Sequence, residues 1–211
     1  MDPVELNQDQ IRDDSSEEPS VALIQPTGDL SPFLNYKIHI VRGRKGEFDF
    51  PAMLFGRGSY GVFATNENES IPLTRKGKEI ETILASEWDR LVQSDPVVLA
   101  SLILLLYGSG SRETHHVLKD AAELQSMCQN SSGYELHEKR FEYHLPRIKT
   151  TYIKVENDLA LVRAVTLFGR MHDKGNLGIE RFSIDRNGVV LPQERELISR
   201  NIFSRIPGIK Y

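Results

Sequence analysis

The stretch from Pro96 to Tyr107 reads PVVLASLILLLY, and it limits the possible folds more than any other part of the chain. Asp95-Pro96 opens a helix there, an N-cap residue followed by the residue type whose missing N–H costs nothing at the first helical position. Gly108 offers the stop. A helix apolar on nearly all sides has to be enclosed. Val97 to Leu106 is only about half of the roughly 20 residues that cross a bilayer, so this segment is expected to be the buried central helix of a soluble or at most peripheral protein.

The segments that flank it are amphipathic. From Thr74 to Val92, Ile80, Ile83, Leu84, Trp88 and Leu91 recur at three- and four-residue steps, which predicts a helix with one apolar face. Before it, Tyr36–Arg42 alternates polar and apolar in the manner of a half-buried strand, and further strands are expected at 50–55 and 60–65. After the central helix, a short helix is expected over Glu113–Met127. Strands are then expected at 134–145, 150–155, 159–168 and 177–184, broken at Pro146 and at Glu156-Asn-Asp158. The stretches MHDKGN and DRNG look like hairpin turns on either side of the last of these strands. From Pro192 a final helix is expected, with Glu194 and Glu196 in its first turn and Arg200 and Arg205 towards its end, the charge order that complements a helix dipole. Leu197, Ile198, Ile202, Phe203 and Ile206 would form its apolar stripe. The resulting class is α+β, one compact domain over residues 31–211 with largely antiparallel sheet packed against two or three helices.

Residues 1–30 are set apart by charge. They hold eight carboxylates against the single Arg12, a net −7, which leaves the rest of the chain at +3 within an overall −4. Such a polar, acidic segment cannot bury enough apolar surface to offset its ordering entropy, so it is expected to be a disordered arm dispensable for folding. Its role is either solubility or that of an interaction arm masking basic surface on its own domain or a sister copy. The segment lacks the basic-then-apolar order of a signal peptide. The single Cys128 precludes an internal disulfide and suits a reducing compartment, so a cytoplasmic location is expected.

Leu54–Ala64, LFGRGSYGVFA, has the glycine spacing of a phosphate-binding loop. A kinase would also need a lysine on the following strand, an H-R-D loop and a D-F-G metal site, and none is present. A tight turn at Gly58 and Ser59 between two strands is expected instead, without ATP binding. No Asp or Glu is followed by lysine two positions on, as a restriction-type nuclease core requires, and no Gly-x-Ser-x-Gly elbow occurs. Cys128 lies beside Gln129 and Asn130, in what reads as a polar loop with no nucleophile signature. His115 and His116 are adjacent near a predicted helix start, and His137 and His144 are seven apart on a predicted strand, so neither pair converges on one ion. The expectation is a chain without catalytic, cofactor or metal site.

Basic clusters are the more informative feature. Arg42, Arg44 and Lys45 bunch in a turn, Arg75, Lys76 and Lys78 at a helix start, and Arg195, Arg200, Arg205 and Lys210 along the C-terminal segment. Each cluster could collect phosphates of nucleic acid or lipid headgroups, and each could equally be solvated surface.

The strand YKIHIVR, Trp88-Asp89 leading into the helix that ends LLLYGSGS, EYHLPR at Glu142–Arg147 and the strands around LALVRAVTLFGR together resemble a matrix protein of the rhabdovirus type over roughly residues 36–185. The resemblance implies a flexible charged arm, a compact α+β domain without enzymatic activity, self-association, contact with the inner face of a membrane and binding to a nucleocapsid. Two other readings stay open: a cytosolic nucleic-acid-binding or regulatory protein whose acidic arm competes for its basic face, and an enzyme whose site is assembled from scattered residues.

Overall fold

The computed structural model describes residues 31–43, 53–55, 58–74, 77–107, 113–130, 143–170 and 175–203. Their architecture is α+β: two antiparallel sheets and four helices.

The first sheet is built from β1 (Lys37–Gly43), β2 (Met53–Phe55), β3 (Gly58–Thr65) and β4 (Ser70–Pro72), with β3 paired to all the others. The glycine-rich stretch is a β2–β3 hairpin in which Phe55 pairs with Gly58 and Leu54 with Ser59. Gly58 and Ser59 are therefore strand residues. Residues 56 and 57 lie outside the described residues, as do residues 50–52. Between β3 and β4 the Asn66 side chain accepts the backbone N–H groups of Asn68 and Glu69, both at 2.9 Å, closing an Asx turn.

The predicted helix over 74–92 is two pieces, α1 (Lys78–Ser86) and α2 (Trp88–Leu91). The break is at Glu87, whose side chain turns inward and accepts the N–H groups of Leu34 and Asn35 at 3.0 and 2.9 Å. That buried carboxylate ties the start of the domain to the helical layer. Ile80, Ile83, Leu84, Trp88 and Leu91 are all buried, as their spacing predicts. The central helix α3 (Pro96–Tyr107) starts where expected, with Asp95 Oδ1 accepting the Val97 N–H at 2.8 Å. Leu99, Leu102, Ile103 and Leu106 are at most 1% exposed.

The second sheet comprises β5 (Glu113–Leu118), β6 (Tyr152–Glu156), β7 (Leu159–Arg170), β8 (Gly175–Asp185) and β9 (Val190–Phe203). Its order is β5-β7-β8-β9, and β6 lies end to end with β5 along the same edge of β7. Three expectations are corrected here. Residues 113–118 are strand rather than helix, because Val117 and Leu118 are buried on opposite faces of the sheet, and α4 begins only at Ala121 (Ala121–Asn130). Its start is marked by Asp120, whose carboxylate accepts the Glu123 N–H at 3.0 Å while Glu123 reaches back to the Lys119 N–H at 2.6 Å. The predicted C-terminal helix from Pro192 is β9, paired along β8, with Leu197 exposed beside buried Ile198. The helical charge pattern of this segment is overridden by the pairing surface β8 offers. Of the strand expected at 134–145, residues 143–147 form a helical turn ending in a 3-10 segment, Leu145–Arg147, and the remainder lies outside the described residues.

Both ends of β8 meet the expected hairpin stretches. DRNG is a turn in which Asp185 Oδ1 accepts the N–H groups of Asn187 and Val189 at 2.9 Å and Gly188 takes φ +81°; residues 171–174 lie outside the described residues. The second sheet carries a core on each face. On one, α1–α3 and the first sheet pack against Val117, Val162, Ala164, Phe182 and Ile184. On the other, α4 and the 3-10 segment cover Val165, Leu167, Leu177, Ile179 and Ile198.

Candidate functional site

The basic residues singled out in the sequence do not converge. Arg42 lies on β1, Lys78 is exposed at the first position of α1, and Arg195 and Arg200 lie on β9. Arg44, Lys45, Arg75, Lys76, Arg205 and Lys210 lie outside the described residues.

Arg195 is drawn into a polar constellation on one face of the second sheet. Four strands contribute to it: His115 from β5, Phe168 from β7, Glu180 from β8 and Arg195 from β9. His115 registers with Phe168, and Glu180 with Arg195. Arg195 Nε donates to Glu180 Oε1 at 2.5 Å, an Arg195 terminal nitrogen contacts His115 Nε2 at 2.9 Å, and the guanidinium stands 4.5 Å from the Phe168 ring centre. A guanidinium only donates, so His115 Nε2 is the acceptor and the imidazole carries its proton on Nδ1. The side chains of His115 and Glu180 are 7% and 11% exposed. Beneath the ring, Gly178 leaves no room for a side chain: a Cβ there would lie 2.7 Å from Phe168 Cε1 and 2.8 Å from the Glu196 carbonyl oxygen. The constellation is a packed layer whose charges satisfy one another.

The opposite face repeats the theme. Arg181 donates to Glu194 and Glu196 at 3.2 and 3.0 Å, and Arg147 to Glu196 at 2.8 Å. The hydrogen bonds from Arg181, then Arg147, hold the Glu196 carboxyl below the usual range. Arg163, only 7% exposed, donates to the backbone carbonyls of Lys149, Thr150 and Arg147, and its burial lowers its pKa. Sequence spacing carries no sign of any of these partnerships: Glu180 with Arg195, and Arg181 with Glu194 and Glu196, meet across the β8–β9 hairpin, a segment whose spacing predicts a helix instead.

His115 and His116 point to opposite faces of β5. His116 Nε2 is buried with no hydrogen-bond partner among the described residues. Burial pushes its pKa below the ordinary value near 6.5, with Glu123 opposing in part. A histidine that is harder to protonate when folded adds stability above that ordinary value and loses it as pH falls below it towards the lowered folded value. Acidification from pH 7.5 to 5 is therefore expected to lower the urea midpoint more in the wild type than in His116→Phe. Equal drops in the two proteins would show that His116 does not titrate with unfolding.

Among the described residues no group of three or more His, Cys, Asp or Glu side chains could hold a metal ion, and no helix is long and apolar enough to cross a membrane. Cys128 sits within α4 rather than in a loop, His144 lies in the helical turn at 143–147, and His137 is outside the described residues. An open surface depression lies where α1 and the β8–β9 turn meet, lined by Lys78, Glu81, Thr82 and Asn187 among others. Comparison of the chain with protein-family models, with curated proteins and with solved structures finds no match.

Proposed function

We propose that the chain is a non-catalytic interaction protein of the rhabdovirus-matrix kind, one that self-associates and links the inner face of an anionic membrane to a nucleocapsid. The observation that carries this reading is Arg200. It stands exposed on the edge strand β9 and makes no ion pair among the described residues, whereas Arg147, Arg181 and Arg195 are each bound to a carboxylate. Leu191 and Leu197 on the same strand are 53% and 40% exposed. A cation on a strand that also exposes leucines elsewhere along its length suits a negatively charged partner with apolar surface of its own.

The test is co-sedimentation of the wild type and the Arg200→Gln/Arg205→Gln double variant with anionic vesicles, neutral vesicles and RNA. Each basic residue near an anionic surface contributes about 1 kcal/mol at low salt, so removing two is expected to weaken vesicle binding by roughly tenfold or more. The difference should shrink as the Debye length falls to about 8 Å at physiological ionic strength. A double variant that binds as the wild type does, or a wild type that ignores anionic vesicles, would overturn the membrane part of the proposal. Binding to RNA alone would favour the nucleic-acid-binding alternative.

A further inference from the structure

We infer that β6 is a self-association edge: two copies of the chain pair antiparallel along it, about a two-fold axis through Val155, and so join their second sheets into one. The inference deepens the self-association proposed above by naming its surface.

The first support is exposure. Among the described residues β6 pairs only with β7, and along it Tyr152 is 43% and Val155 48% exposed, with Lys154 and Glu156 exposed as well. The opposite edge of the same sheet is guarded. There β9 carries Pro192 and its pairing is broken by register shifts, both devices that discourage a further strand. By contrast β6 has no proline, and its pairing with β7 is regular across all five residues.

Backbone geometry then says which groups face outward. Asn157 and Asp158 take φ 47° and 62° and form a two-residue turn of the I′ kind between Glu156 and Leu159. In such a turn the closing pair exchanges both hydrogen bonds, and the alternation of an antiparallel ladder turns Glu156, Lys154 and Tyr152 towards β7. Ile153 and Val155 therefore direct their N–H and C=O groups to the open edge, ready to bond a second strand.

Charge selects the register. A pair centred on Lys154 would set two lysines opposite each other. A pair centred on Ile153 leaves both charges facing neutral residues. Centred on Val155, the pair sets Lys154 opposite Glu156 of the second copy, twice, and brings the two valines together as a hydrogen-bonded pair. Lysine on an edge normally deters pairing; within one copy Lys154 already pairs with Glu156, and in this register each also faces its opposite charge across the axis. On the other face of the strand Ile153 packs against the main core, so Val155 against its symmetry mate continues that apolar layer across the axis. Strands this short bury less than a stable interface needs, so the dimer is expected to be weak and concentration-dependent.

The experiment is a charge swap read by sedimentation equilibrium on the full chain. Lys154→Glu and Glu156→Lys each create two like-charge pairs across the axis and are expected to weaken dimerisation about tenfold or more at low salt. The double variant K154E/E156K should recover wild-type association. An equimolar mixture of the two single variants should associate more tightly than either alone, because each supplies the charge the other lacks. Both sites of change, Lys154 and Glu156, are exposed, and thermal melts of the monomers control for folding. Single variants that associate like the wild type, or a mixture that gains nothing, would overturn the β6 edge while leaving self-association through another surface in place. A wild type that is monomeric at every concentration would overturn both.

Discussion

Replacing Gly188 with alanine is expected to destabilise the fold by about 3 kcal/mol or more. Two independent costs add. Gly188 holds φ +81°, a conformation that charges an L side chain about 1 kcal/mol or more. A Cβ at this position would also lie 1.9 Å from the carbonyl oxygen of Glu81 and 2.9 Å from the backbone nitrogen of Ala85. These are backbone atoms of α1, which cannot swing aside as a side-chain end would, so the β8–β9 turn has to lift away from the helix. Overpacking of this kind typically costs 1–3 kcal/mol. Urea denaturation would read the loss, and Asn187→Ala, next to it at an exposed turn position, should cost well under 1 kcal/mol. A Gly188→Ala protein as stable as Asn187→Ala would show that the turn does not dock on α1.

The second large effect is expected at Glu180. Glu180→Leu removes the carboxylate that pairs with Arg195 at 2.5 Å and lies 3.6 Å from His115, leaving a guanidinium over Phe168 without its counter-charge. Breaking a fully buried pair from one side costs 3–5 kcal/mol. Arg195 is 26% exposed and can reach water, so about 2 kcal/mol is expected. Arg195→Met should cost a comparable amount, for the carboxylate is the more buried partner. The double variant is the informative one: with both charges gone the layer becomes apolar, and it should be more stable than the sum of the single losses predicts by at least about 1 kcal/mol. Additive losses would mean that the two side chains contribute by packing alone.

These two sites differ in how far they can be read from the chain. DRNG announces a hairpin turn by its residue types, and the structure has one. Nothing in DRNG says that a helix about a hundred residues earlier presses on its glycine. Glu180 and Arg195 are 15 positions apart and His115 is 80 from Arg195, separations at which spacing carries no information about contact. Arg195, read as one of a row of basic surface residues, turns out to be half-buried among partners for that reason.

The segment from Pro192 shows the same limit within secondary structure. Glu194, Glu196, Leu197, Ile198, Arg200 and Ile202 satisfy the charge order and spacing of an amphipathic helix, and they can also be laid along a strand. The choice falls to β8, which offers an unpaired edge of 11 residues, and a strand that pairs there buries Ile198 and Ile202 against α4 and the 3-10 turn. Residues 113–118 were decided likewise by the open edge of β7.

What the chain determines by itself is local. The apolar run of α3 has to be enclosed whatever surrounds it, Asp95-Pro96 starts that helix, and the spacing of Ile80, Ile83, Leu84, Trp88 and Leu91 assigns them one buried face. Each follows from burial or capping within a few residues, and together with the strand alternation of Tyr36–Arg42 they lead to the α+β class. Tertiary structure alone decided that β9 is a strand, that Glu87 breaks a helix to hold Leu34 and Asn35, and that Arg195 pairs with Glu180. In each of these cases the deciding partner is remote in sequence, and the free energy of pairing with it exceeds the few tenths of a kcal/mol per residue by which local propensities differ.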